Sequence, residues 1–159
     1  MLDDYRRQNI WTLEIDDILK TNMDGVQKLF RYYFHPNKKW FDIKDAIMLI
    51  CKDGMFVQTL EKEVVQCFGL SKMTIVNEFE SRALYKKLLF PEFLDFLVRI
   101  ADIVFKSTDY EAAILPRKLE RLLDRLFQLV KVSRKEVNIE DLLVCEDSDE
   151  GAPEETLEL

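Results

Sequence analysis

The sequence predicts an all-α fold, and three observations carry that prediction. Apolar residues recur at three- and four-residue spacing in one segment after another, the spacing that gathers them on one face of a helix. Only four Gly and four Pro fall among 159 residues, too few turn formers for a sandwich, a barrel or long flexible linkers. The longest apolar-rich stretch, Leu88 to Phe105, opens with Pro91 and Glu92. Both suit a helix start, because the first-turn amides lack partners and attract a carboxylate.

With 48% apolar residues and eleven Phe, the chain can bury one sizeable core, so residues 1–144 are expected to form a single helical domain. Residues 145–159 are expected to be an acidic, disordered tail, since they hold many acids, no base and no periodicity. Residues 146–159 carry seven of the 30 acids. Without them acids and bases balance at 23 each, leaving a neutral body with no electrostatic reason to bind nucleic acid. Cys51, Cys67 and Cys145 are odd in number and widely spaced, with no leader-like segment ahead of them. Reduced thiols in an intracellular protein are therefore expected. No apolar run approaches the length of a membrane span.

Taken in order, Trp11, Leu13 and Ile15 alternate while Ile15, Ile18 and Leu19 form a helical stripe, which predicts an extended turn leading into a short helix. Asp24 and Gly25 open the next helix, with Val26, Leu29, Phe30 and Tyr33 on one face, and the sequence His35-Pro36-Asn37-Lys38-Lys39 breaks it. Asp42 is placed to cap a helix carrying Ile43, Ala46, Ile47, Leu49 and Ile50, with Gly54 as its stop. A helix from Met55 to Phe68 follows, with Gly69 as breaker, and Ser71 then caps one carrying Met73, Val76 and Phe79.

The central helix, Glu92 to about Phe105, has two apolar faces. Phe93, Phe96, Leu97, Ile100 and Val104 make one, and Leu94, Val98, Ala101 and Phe105 the other. Leaving the second face in water would forfeit about 1.5–3 kcal/mol for each large side chain. The nearest cover is a helix from Pro116 to about Lys131, striped with Leu119, Leu122, Leu123, Leu126 and Val130 and with Arg117, Lys118, Arg121, Asp124 and Arg125 on its wet side. Asn138 and Asp141 form a capping-box pattern for a short last helix.

One pattern (apolar, any, apolar, any, acid, apolar) occurs three times, at Phe41–Ala46, Leu88–Phe93 and Val137–Leu142, with a fainter copy at Leu13–Ile18. Each of the three follows a polar break and an amphipathic helix. That layout resembles the EF-hand superfamily, and residues 68–102 in particular look like the degenerate, calmodulin-like hands of flagellar and other cytoskeletal proteins. The resemblance implies hand-like repeats at about 24–53, 71–105 and 117–144. It also implies paired loops in which position 8 pairs by backbone with its partner loop and the acid at position 12 starts the exiting helix.

Calcium ligation does not carry over. With Glu92 at position 12, positions 1, 3, 5 and 6 hold Ser81, Ala83, Tyr85 and Lys86, where a calcium loop needs oxygen ligands at 1, 3 and 5 and Gly at 6. With Asp45 at position 12 the same places hold Phe34, Pro36, Lys38 and Lys39. The third loop, Val130–Asp141, offers Ser133 and Glu136 at most. Glu92 and Asp141 suit helix-start charges instead.

No nucleophile–base pair, glycine-rich phosphate loop or zinc motif is present, and the single His35 stands beside Pro36 without an acid or Cys motif. Neither enzyme activity nor a cofactor or metal is expected. The expected function is a calcium-independent protein–protein interaction module, docking an amphipathic helix of another protein in a hydrophobic groove. Phe93, Leu97, Ile100, Val104 and Phe105 are its candidate contacts, with Met48, Met55 and Met73 as adaptable lining. The resemblance places such a module in a cytoskeletal assembly, cilia and flagella included. Two alternatives stand beside it: a calcium-responsive regulatory subunit, and a structural filler whose Pro116 helix occupies the groove itself.

Overall fold

Over residues 2–72 and 86–135, which the computed structural model describes, the chain forms seven α-helices and one two-stranded sheet. Its start is helical: α1 (Leu2–Tyr5) runs into a π-helical stretch, Arg6–Ile10. The extended residue is Thr12 alone, whose hydroxyl accepts from the Ile15 amide at 3.4 Å and caps α2 (Leu13–Thr21). Ile15, Ile18 and Leu19 then face the core, while Trp11 and Leu13 stay 61% and 58% exposed.

Helix α3 (Met23–Phe30) ends earlier than the apolar spacing implies, and the break after it closes on mutual backbone hydrogen bonds between His35 and Lys38. Strand β1 (Phe41–Asp42) leads into α4 (Ile43–Ile47), which continues through a π-helical turn, Met48–Asp53, to Gly54. Asp42 caps α4 as the sequence predicts, in a reciprocal box with Asp45.

Helix does not resume at Met55. That residue is left-handed at φ 59°, and α5 spans Glu61–Ser71, where Glu61 and Glu63 fall in the first turn and favour a start. Gly69 is no breaker. A Cβ there would meet nothing within 4 Å, and α5 passes through it to Ser71, whose hydroxyl donates back to the Cys67 carbonyl at 2.6 Å. Ser71 thus lies in the last turn of α5. The predicted helix of Met73, Val76 and Phe79 lies outside the described residues.

Strand β2 (Lys87–Leu88) pairs antiparallel with β1 in the register Phe41↔Leu88 and Asp42↔Lys87. It is followed by α6 (Phe90–Val104) and α7 (Leu115–Phe127), each with Pro in its first turn. Helix α7 stops short of Lys131, which is left-handed at φ 55°, and the Val132 amide reaches back to the Phe127 carbonyl at 3.1 Å, a Schellman-type closure. The third repeat, at Val137–Leu142, and residues 145–159 lie outside the described residues.

Helix α6 runs between α5 and α7 and is the centre of one continuous core. Phe30 of α3 and Phe41 of β1 lie 5.2 and 4.9 Å from Phe93, and Phe68 of α5 lies 6.3 Å from Phe96. On the second face Val98 and Ala101 are fully buried and Phe105 nearly so. Leu119, Leu122, Leu123 and Leu126 of α7 are buried as well, and Lys118, expected on the wet side, is buried with its Nζ 3.9 Å from Asp102 of α6. Helix α7 is also drawn close to α3. A Cβ on Gly25 would stand 2.5 to 2.9 Å from the Phe127 ring, so only glycine permits that approach.

Candidate functional site

A buried ion network sets the N-terminal helix against α5 and α6. Arg6 Nε donates to Asp95 Oδ2 at 2.7 Å, and Arg99 Nε donates to the other oxygen of the same carboxylate at 2.5 Å. Arg6 Nη2 also reaches the carbonyls of Leu70 and Lys72 at 3.3 and 3.1 Å, the negative end of α5. Above it the Arg99 guanidinium covers the Tyr5 ring at 4.6 Å, and the Tyr5 hydroxyl donates to Asp102 at 3.1 Å. Burial first, and the Asp102 charge second, hold the Tyr5 phenol well above its usual pKa.

Because Arg6 is pinned in this way, the next turn of chain arches over the start of α6 and leaves a groove. Ile10, Trp11, Leu13 and Leu19 line it from one side and Pro91 and Leu94 from the other, around a volume of about 510 Å³ with Asp16 on its lip. Its lining is largely apolar, and Trp11 and Leu13 are two of the more exposed large apolar side chains among the described residues. A smaller cleft of about 210 Å³ lies between Met55–Thr59 and the end of α6.

The five predicted contact residues are in the core. Phe93, Leu97 and Ile100 are wholly buried, while Val104 and Phe105 touch the edge of the smaller cleft and Phe105 also a second one beside α7. Met48 and Met55 are exposed, Met55 beside the smaller cleft, and Met73 lies outside the described residues. The groove gathers residues the sequence reading passes over. Their signal was present: an aromatic directly before a Thr cap cannot join the stripe of the helix that follows.

The paired loops carry a second feature. Glu92 Oε1 accepts the Leu89 amide at 2.8 Å and the Lys72 ammonium at 3.0 Å, and Lys72 also donates to the Lys87 carbonyl. Asp45 Oδ2 accepts the Asp42 amide at 3.1 Å and the Lys38 ammonium, which lies 3.2 Å from Asp42 Oδ2 as well. Burial works against the Lys38 charge, but its hydrogen bonds and attraction to Asp45 and Asp42 together outweigh it and raise its pKa. For Asp42 burial is likewise outweighed, by the Asp45 amide and Lys38, and its pKa is lowered. Lys38 is inside its loop and visible as a cation there. Lys72 is fifteen residues ahead of the strand it reaches, so only the fold brings it in.

Among the described residues no group of three or more His, Cys, Asp or Glu is placed to hold a metal ion. Burial pushes the Cys67 thiol up to about 11, so it is protonated at neutral pH, and His35 lies exposed in its turn. No described helix is long and apolar enough to cross a membrane. No protein-family model, curated protein or solved structure matches the chain.

Proposed function

We propose that the chain is a calcium-independent protein–protein interaction module of EF-hand-like layout, and that its groove at Trp11, Leu13 and Leu94 receives an amphipathic helix of another protein. The observation that carries this reading is the pairing of a well-filled core with one open apolar groove rimmed by an exposed Trp and Leu. Aromatic and aliphatic anchors of this kind supply most of the energy where a helix meets a groove. The acids on the neighbouring turn, Glu14 and the half-exposed Asp16, favour a partner helix with basic residues flanking its apolar stripe.

The EF-hand-like part of the proposal is supported by the strand register. With Glu92 and Asp45 at position 12, position 8 falls on Leu88 and Phe41, and those two residues are partners in the small sheet. Calcium independence is supported by the two ammonium groups on the position-12 carboxylates. The cytoskeletal or ciliary setting is proposed from the sequence resemblance.

Capture from native extract, with calcium and with chelator, tests the proposal. The same partners are expected in both conditions, and Leu13→Asp is expected to lose them without lowering the melting midpoint. Capture unaffected by Leu13→Asp, or abolished by chelator, would overturn it.

A further inference from the structure

The geometry points to Lys38 and Lys72 as the resident cations of the paired loops: fixed ammonium groups that hold the two loops together and exclude divalent ions from them. This rests on the calcium-independent part of the proposed function and names the residues that decide it.

The ends of the two loops, where the repeat pattern lies, are built alike, although their lysines come from different places in the sequence. In each, a carboxylate in the first turn of the exiting helix turns one oxygen to the N-cap amide, Asp42 in the first loop and Leu89 in the second. In each, that same oxygen takes a lysine Nζ. The Lys72 and Glu92 side chains are 8% and 2% exposed, and those of Lys38 and Asp45 17% and 9%. These are not solvated surface pairs, whose contribution is small. The second donor bond of Lys72 goes to the backbone carbonyl of Lys87. With Glu92 at position 12, Lys87 is position 7, where an EF-hand loop offers its carbonyl to calcium. Lys72 therefore touches two of the oxygens that a metal ion would claim.

The two ammonium groups also belong to one connected structure. Lys72 binds the carbonyl of Lys87, Lys87 pairs across the sheet with Asp42, and Asp42 binds Lys38. A positive charge fixed at both carboxylates repels a divalent ion at the distance where it would have to bind. The lysines need no ion concentration to act, because each is tethered to the chain it neutralises.

The test uses the full chain with Lys38→Met and Lys72→Met, which keep the length of the side chain without its charge, and Lys39→Met as the exposed neighbour. In chelator, Lys38→Met and Lys72→Met are each expected to lower the melting midpoint by several degrees, and Lys39→Met to leave it in place. By hydrogen exchange, Lys38→Met is expected to speed the Leu89 amide at least several-fold, and Lys72→Met the Asp42 amide, because the loops are joined. If a Met variant does not fold, the corresponding Arg variant, which restores the charge, is expected to fold. Failure of both overturns the assignment of charge as the cause. Terbium, sensitised by Trp40 in the first loop, and millimolar calcium are expected to give the wild type neither saturable emission nor a rise in midpoint. Either one would overturn the inference and the calcium-independent reading together. Midpoints and exchange rates of Lys38→Met and Lys72→Met equal to those of Lys39→Met would overturn the inference alone.

Discussion

Helix α6 and the corner at Trp11–Leu13 meet at one groove and use the same kinds of side chain to opposite ends. Along the core side of α6 neighbours come from α3, β1, α5 and α7, and Phe93, Phe96, Leu97 and Ile100 are sealed. At the corner the chain bends at Thr12, and Trp11 and Leu13 stay 61% and 58% exposed on the rim of the groove. Apolar content alone therefore does not decide which side chains are covered. Those left exposed at the corner are the ones beside the extended Thr12 cap, outside the buried stripe of α2.

The contrast is open to challenge by substitution, the largest effect being expected inside. Phe96→Ala should cost about 3–5 kcal/mol, the transfer term plus an unfilled cavity among Phe41, Phe68 and Phe93, measurable by denaturant unfolding. A cost below about 1 kcal/mol would mean that α6 is not sealed. Asp95→Ala should cost about 3–5 kcal/mol, since it strands two buried guanidinium groups. It should also loosen the groove, which Arg6 positions, so that Trp11 fluorescence in a Trp40→Phe background shifts towards that of exposed indole.

Next comes pH. The folded-state pKa values of the Tyr5 phenol and the Cys67 thiol are raised, chiefly by burial. Their stabilising contribution is full below their unfolded values, about 10 and 8.5, and is lost as pH rises through the folded ones. The Lys38 contribution, also from a raised pKa, declines in the same alkaline range. The lowered pKa of Asp42 works at the other end, its share being lost below about pH 4. Melting midpoints should therefore fall above about pH 9, and Tyr5→Phe should flatten part of that fall. A midpoint level up to pH 11 would show that these groups are not buried as described. Smallest of all, Leu13→Asp should change stability by no more than about 0.5 kcal/mol, as expected of an exposed position, although it sits in an apolar run. A larger loss would mean that the corner is covered.

Much of the scaffold was legible in local chemistry. Asp42 announces its cap, Pro91 and Pro116 mark the first turns of α6 and α7, and the two repeat copies meet in the small sheet. Where the reading erred, a local signal was outvoted. Gly69 breaks a helix only if the chain has somewhere to turn, and α5 continues packing against α6 for another two residues. Phe93, Leu97, Ile100, Val104 and Phe105 looked like a groove because no helical period reveals what covers a face.

The sequence by itself determined the helical class, the cap of α4, and the acids that start α4 and α6, since each depends on neighbours a few residues apart. Tertiary structure alone decided that α6 buries Val98, Ala101 and Phe105 of its second face but leaves Leu94 in the groove, that Arg6 and Arg99 share Asp95, that Lys72 sits on Glu92 twenty residues away, and that the open face lies at Trp11 and Leu13. Those are relations between distant segments, fixed by which surfaces are left to bury once every helix has formed.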